Sequence, residues 1–490
     1  MKDYILVVDV GTSSVRCAQV GPDAKVWDQE SFVVLPSSPA AGLVELDGSA
    51  IARSVRAGVK AITDKHGEPK GVGIANQRAS AIVWDAKTLE PVGPAIGWQD
   101  LRTVMTCLSL QAEGIRLAPN VTATKLAAIL DEVDPDRSRC ASGELRLGTI
   151  DSYVAAILSD GELHITDLTN AAVTGLLDPI TRIWDEKVTA RLGIPLDALA
   201  QVVDSSGIVG SASMVLGKPP IAGIAGDQQA SLFGQGCFAP GQAKVTFGTG
   251  GMLDVVTGDQ AMGMGRLEHG TFPIVARQVK GEATWGVEAI MLSAGSAVEW
   301  LRDDLGLISS AAESDAMAAS VPDSGGCFFV PALLGLGTPV WDFGARGTLL
   351  GITRGTSRPQ IVRAVLEGIA HRCADLVEAT IADTGLALDG LRVDGGMTAN
   401  ATFLRALADI TGLPIQRSAE LEATTLGAGL LAGAALGMWS SVQEASASWR
   451  PAEVIEVELG DEPRGQLRKR WLEARARAEQ TIPELSGLEF

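Results

Sequence analysis

One local device opens two halves of this chain, and few architectures use it twice. Tyr4–Val8 is apolar and largely β-branched, Gly11-Thr12-Ser13-Ser14 interrupts it, and Val15–Val20 resumes the pattern. After Pro240-Gly241 the device recurs, with Lys244–Phe247, the turn Gly248-Thr249-Gly250-Gly251, and Met252–Val256. Each copy reads as strand, tight polar turn and returning strand. A third strand meets glycines at Leu391-Arg392-Val393-Asp394-Gly395-Gly396, followed by a helix through Asp409. Between the two copies, residues 49–66 read as a helix, Gly71–Ala75 as a buried strand, and Ala81–Trp84 as its continuation past Asn76-Gln77-Arg78. Ile221–Ala225 reads as a further buried strand, with a helix beginning at Gln228. No short tandem period is present, which excludes solenoids and propellers. A chain of 490 residues exceeds one ordinary core, so two α/β domains are expected, 1–240 and 241–490, with a cleft between their glycine turns.

Composition removes several alternatives. With 46% hydrophobic and 20% charged residues the chain is globular. A formal charge of −19 without a Lys/Arg cluster argues against a nucleic-acid partner. Cys17, Cys107, Cys140, Cys237, Cys327 and Cys373 are scattered, with no C-x-x-C pair, and are expected as free thiols of a cytoplasmic protein. Ala423–Gln443 carries no charge. Its small residues and its Gly429-x-x-x-Gly433 spacing suit a closely packed soluble helix better than a membrane span. The four histidines show no metal-ligand spacing.

The glycine turns have chemical logic as phosphate sites. In Asp9-Val10-Gly11-Thr12-Ser13-Ser14-Val15-Arg16 the glycine admits close approach, amides and hydroxyls face outward, and Arg16 adds charge. Asp9 could hold Mg²⁺ through water. Taken alone, the same residues make an ordinary hairpin turn; the second copy at Gly248-Thr249-Gly250 favours a clamp on a triphosphate. Neither copy is a Walker loop. Asp227, between a buried strand and a helix, fits equally a helix cap or a general base at a strand's carboxyl end.

Several long stretches together carry a resemblance. DVGTSSVR, GIANQRASAIVWD, GIAGDQQASLFGQG, FGTGG, PALLGLGTPVWD and RVDGGMTAN, with the block Gly347–Glu367 and Thr122-x-Thr124-Lys125-Leu126, resemble the FGGY carbohydrate kinases, most closely their glycerol-kinase branch. The resemblance implies two actin-like (ribonuclease H-like) ATPase domains, ATP and Mg²⁺ in the cleft, and phosphorylation of a primary hydroxyl. It implies Asp227 as catalytic base, also beside the metal, and Asp9 as the residue next to magnesium. Thr12, Ser13, Ser14 and Arg16 correspond to the first phosphate turn, and Thr249 and Gly250 to the second. Gly295, Glu299, Gly396 and Asn400 fall at the adenosine side, and Arg78, Ala79, Trp98, Asn120, Gln228 and Met252 at the polyol side.

The departures sit mainly in the pocket. Ala79 stands where that branch has glutamate, Asn120 where it has tyrosine, Met252 where it has phenylalanine, and Glu299 where it has glutamine. Ala128 replaces a tryptophan of the N-terminal signature, and Gly217-Lys218-Pro219-Pro220 replaces a regulatory loop of the bacterial enzymes. The lost carboxylate at Ala79 leads to the expectation of a four- or five-carbon polyol. The alternatives are a ketopentose, glycerol itself, or a nucleotide-binding regulator without transfer activity. A homodimer or homotetramer is left open as the assembly.

Overall fold

The computed structural model describes residues 3–263 and 265–487. Its centre is one twisted sheet of thirteen strands made from two similar halves. In the first half Ile5–Val10 pairs antiparallel with Ser14–Val20, which pairs antiparallel with Val26–Val33. On its other side Ile5–Val10 runs parallel to Gly71–Asn76, and that strand parallel to Pro220–Gly226. The second half repeats the order. Ala243–Phe247 pairs antiparallel with Gly251–Gly258, which pairs antiparallel with Glu282–Met291. Ala243–Phe247 also runs parallel to Leu391–Asp394, which runs parallel to Ile415–Ser418. The duplicated device thus seeds a duplicated actin-like topology. The halves meet edge to edge through a single pairing, Ser206 with Val279.

Local chemistry accounts for the main elements. Ile5–Val10 is buried along its whole length, as a strand covered on both faces requires. Helix Gly48–His66 starts where Asp47 accepts the Ala50 N–H and ends at Gly67 with φ 80°, a conformation glycine adopts freely. Helix Arg358–Thr384 begins with a capping box from Ser357 and Gln360. Its buried face lines the core of the second half with Phe247, Leu253, Val287 and Phe403. All six cysteines are buried and free. Among the described residues no helix is long and apolar enough to cross a membrane.

Two readings need adjustment, and a third gains a location. Residues 81–84 do not continue the main sheet: Ile82–Asp85 pairs with Leu145–Gly148 in a separate ribbon. The helix expected from Gln228 is Asp227–Gly234, with Gly226 at its N-cap. Asp227 therefore occupies the first helical position, and its Oδ1 accepts the N–H of adjacent Gln228 at 2.8 Å rather than that of the second or third residue as an N-cap would. Finally, the uncharged stretch after Ala423 forms helix Ala423–Ala435. Although late in sequence, this helix packs on the first half, where Leu426, Leu430 and Leu431 join Ile5, Val7, Val20 and Phe233.

That packing is close. A Cβ on Gly427 would lie 1.8 Å from the Ala230 carbonyl oxygen, and one on Gly234 would lie 2.0 Å from that of Ala423. Gly427→Ala must push the two helices apart. We expect a loss of about 1–3 kcal/mol, the usual range for overpacking, in urea unfolding followed by tryptophan fluorescence. A stability equal to that of the parent protein would refute this contact.

Candidate active site

Strand Pro220–Gly226 delivers Asp227 to its carboxyl end, and the peptide just before it is fixed by a Gly226 N–H bond to Thr169 Oγ1 at 2.9 Å. Gly226 has a steric reason of its own, since a Cβ there would lie 2.6 Å from Arg78 Cγ. The Arg78 stem crosses that space. Its Nε points at Asp227 Oδ1, 3.6 Å away, while Nη2 meets Glu288 Oε2 at 2.5 Å. Burial opposes the Arg78 charge, but Glu288, Asp227 and Asp254 outweigh it and hold the guanidinium above its ordinary value. Burial also raises the Asp227 carboxyl, with Arg78 opposing.

Facing Asp227 is the first glycine turn. Asp9 Oδ2 accepts from Thr425 Oγ1 at 2.9 Å and from Arg16 Nη1 at 3.3 Å. The same Arg16 nitrogen lies 2.5 Å from Glu422. Burial raises the Asp9 carboxyl above its ordinary value, Arg16 and Thr425 pull it back, and Glu422 adds to the rise. A cavity of about 250 Å³ lies between these groups, lined by Asp9, Gly11, Arg16, Asp227, Asp394 and Glu422 among others. Asp394 Oδ2 accepts from Ser231 and Gln235, while its buried Oδ1 has no donor. Glu422, Thr425 and Asp394 lie far along the chain from Asp9, and nothing local in the sequence marked them as its neighbours.

The second turn is docked rather than free. Gly248 and Thr249 carbonyls accept the N–H groups of Gly295 and Ala294 at 2.9 and 2.8 Å, which ties the turn to helix Gly295–Asp303. A Cβ on Gly295 would meet the Gly248 oxygen at 2.6 Å, and one on Gly250 the Met291 oxygen at the same distance. These two expected nucleotide residues are glycines because the protein itself needs them to be. Gly396 differs: it is exposed, with nothing within 4 Å of a Cβ. Asn400 caps helix Ala401–Thr411 through Oδ1 and donates Nδ2 to Ser314, so its side chain is engaged within the protein. Glu299 is exposed on helix Gly295–Asp303.

The polyol-side residues are drawn together. Trp98 Nε1 donates to Thr12 Oγ1 at 3.3 Å, joining them to the first turn. Lys125, fully buried, gives its ammonium to three carbonyls: Asn120 at 2.7 Å, Ala79 at 3.3 Å and Trp98 at 3.3 Å. Burial pulls this lysine down to about 7, against the attraction of Asp100. Lys244 Nζ, also fully buried, donates to Gln228 Oε1 at 2.5 Å and lies 2.7 Å from Asp254. Met252 is half-buried on Gly251–Gly258, two residues before Asp254 and on the same face. Asn120 is exposed. Ala79 has φ 62° and is only 8% exposed, so it adds almost no open surface to a pocket. Among the described residues no cluster of three or more His, Cys, Asp or Glu has metal-site geometry.

Two duplicated halves with an acidic cavity beside the first glycine turn are the architecture of the actin-like class. Residues 4–234 match the N-terminal domain, and residues 243–436 the C-terminal domain, of the FGGY family of carbohydrate kinases. The chain belongs to that family and is an ATP-dependent carbohydrate kinase. It is 42% identical to a glycerol kinase of Aromatoleum aromaticum over 97% of this chain and 98% of that one. A Carboxydothermus hydrogenoformans glycerol kinase is 38% identical over the same shares. The crystal structure of Plasmodium falciparum glycerol kinase with ADP superposes with TM-score 0.90 at 29% identity, covering 97% of this chain and 98% of that one. Xylulose kinase of Lactobacillus acidophilus, at 20% identity and TM-score 0.86 over 99% of both chains, shares the fold.

Replacing Lys125 by methionine leaves three carbonyls without their donor. Each such loss is worth about 1–3 kcal/mol, and it falls on the loops of Ala79, Trp98 and Asn120, where the acceptor is expected. Lys125→Met is expected to raise KM for the acceptor about tenfold and leave KM for ATP within twofold. Steady-state kinetics with each substrate varied checks this; equal rises in both would refute it.

Proposed function

We propose that the acceptor is glycerol and that the γ-phosphoryl of ATP passes to one of its terminal hydroxyls, with Asp227 as the base. The carrying observation is the placement of Asp227, held beside Arg78 at a strand's carboxyl end and opening on a cavity whose far wall is Asp9. A hydroxyl in the cavity mouth gives its proton to Asp227 as the oxygen attacks. The upward shift of that carboxyl, from burial against the opposing Arg78 charge, strengthens it as a base. Thr12, Ser13, Ser14 and Arg16 on one side, and Thr249 and Gly250 on the other, would hold the phosphates. Exposed Gly396 would let the nucleoside approach the backbone.

Asp9, Asp227 and the donorless Asp394 Oδ1 are hard oxygen groups around one cavity; they do not form a direct ligand cluster, and a divalent cation would be held there through its own waters. Mg²⁺ bound there would neutralise phosphate charge. The chain's own part is to hold the acceptor hydroxyl against Asp227 and to keep Arg16 beside the phosphates.

The larger polyol expected from Ala79 finds less support than glycerol. Both curated relatives above are glycerol kinases, and the Ala79 side chain is buried rather than bordering an enlarged pocket. Release of ADP with glycerol, erythritol, xylitol and ketopentoses tests the choice. Glycerol is expected to give the highest kcat/KM, and a tenfold advantage for any four- or five-carbon acceptor overturns the reading.

Asp227→Asn keeps size and removes the base. We expect kcat to fall by roughly 10²–10⁴, with ATP binding by calorimetry little changed. In the parent enzyme, activity needs ionised Asp227, so kcat/KM should drop as pH falls through its raised value. The acid limb should thus lie above the ordinary aspartate range. Near-normal turnover by the variant would remove Asp227 from the base role.

A further inference from the structure

The wall opposite Arg78 is a charged ladder on three strands of the second half. Strand alternation puts Met252 and Asp254 on one face, and the register pairs them with Ile290 and Glu288 of the neighbouring strand. Lys244, on the strand beyond, closes the ladder against Asp254 and reaches Gln228. The face therefore looks at the polyol-side residues of the first half.

Two features of this contact are unfinished. Arg78 Nη1 is buried with no acceptor, although Nη2 is bonded and Nε faces Asp227. Glu288 Oε2 takes Arg78 Nη2, while among the described residues no donor reaches Oε1. The flanking Ala79 and Met252 side chains offer no oxygen or nitrogen. An alcohol is both donor and acceptor. One hydroxyl could therefore accept from Arg78 Nη1 and donate to Glu288, completing both.

We propose that Glu288 is a specificity-determining residue that accepts the hydrogen of a non-reacting hydroxyl of the acceptor, whose oxygen is held by Arg78. This rests on the polyol-kinase reading of the site above. It makes the second half, and not only the first, read the acceptor. It also supplies from a distant strand the acceptor group that Ala79 lacks beside Arg78.

The test compares glycerol with propane-1,3-diol and propane-1,2-diol, each lacking one hydroxyl, in the full-length enzyme and Glu288→Gln. A hydrogen bond to a carboxylate is worth about tenfold to a hundredfold in affinity. The parent should disfavour at least one diol by that factor, and Glu288→Gln should lose most of that preference by slowing glycerol far more than that diol. Equal slowing of all three compounds would show that Glu288 only holds Arg78, and unchanged glycerol kinetics would show that it does neither; both overturn the proposal. Glu288→Asp, which keeps the charge and withdraws it by one methylene, serves if the glutamine variant does not fold. It should raise KM for glycerol while leaving the indifferent diol unchanged, and equal effects on both overturn the proposal. If the parent enzyme ignores glycerol, the glycerol reading fails. The same comparison on the polyol it does accept, against its deoxy analogues, then decides the role of Glu288.

Discussion

Where helix Ala423–Ala435 crosses helix Asp227–Gly234, neither Gly427 nor Gly234 has room for a side chain, and the two backbones touch. The rest of the site follows from that approach. Pressed this close, the late helix inserts its leucines beneath the first half's strands and brings its own first turn to the cavity. Thr425 then reaches Asp9, Glu422 reaches Arg16, and Thr424 Oγ1 lies 3.4 Å from the Asp227 carbonyl oxygen. Residues some four hundred positions apart become neighbours because two Cβ atoms are missing. Gly429 continues the contact, since a Cβ there would lie 2.7 Å from Val20.

That packing has an electrostatic consequence. It gathers Asp9, Asp227, Asp394 and Glu422 around one cavity, with Arg16 the cation on its wall. Arg16 is divided between Asp9 and Glu422. A triphosphate entering here offers it stronger, bidentate acceptors, but brings more negative charge than one guanidinium can balance. A further cation between acidic lining and anionic substrate would offset that repulsion, which is the physical argument behind the magnesium proposed above. The upward shift of Asp9, from burial first and the Glu422 charge last, records the same crowding.

Much of the fold was legible because its signals are local. Apolar runs ended by glycine-rich turns marked Ile5–Val10, Ala243–Phe247 and Leu391–Asp394, and the repeated device announced the duplication. Asp227 was visible as a carboxylate between strand and helix, although only the structure showed that Gly226, not Asp227, occupies the N-cap. What stayed hidden depends on register between distant strands. Glu288 carries no mark in the sequence, and only the structure places its neighbour Asp254 and its partner Arg78. The expectation of a larger polyol rested on the loss of a carboxylate at Ala79, which is conspicuous in sequence, whereas Glu288 beside Arg78 is not. Gly295 and Asn400 matched a nucleotide pattern in sequence, and the structure gives each a further role: Gly295 packs closely on Gly248, and Asn400 accepts the capping bond from Phe403.

Two buried lysines on the polyol side show how irregular loops are made rigid enough to read a small molecule. The carbonyls of Ala79, Trp98 and Asn120 belong to segments without strand partners there, and buried carbonyls left unpaired are expensive. A single ammonium with three donors serves all three at once, and no apolar side chain could. The expense appears in Lys125 itself, pulled down to about 7 by burial. It is tolerable because a neutral amine still donates two hydrogens, so the loops remain tied in either protonation state. Lys244 works differently, fixing Gln228 while its charge is answered by Asp254. The three-carbon acceptor proposed above would offer few atoms to grip, so its recognition would depend on how little the gripping groups can move. Lys125 restrains the loops of Ala79, Trp98 and Asn120, Lys244 restrains Gln228, and Glu288 meets Arg78, so these candidate acceptor groups each have a buried charge beside them.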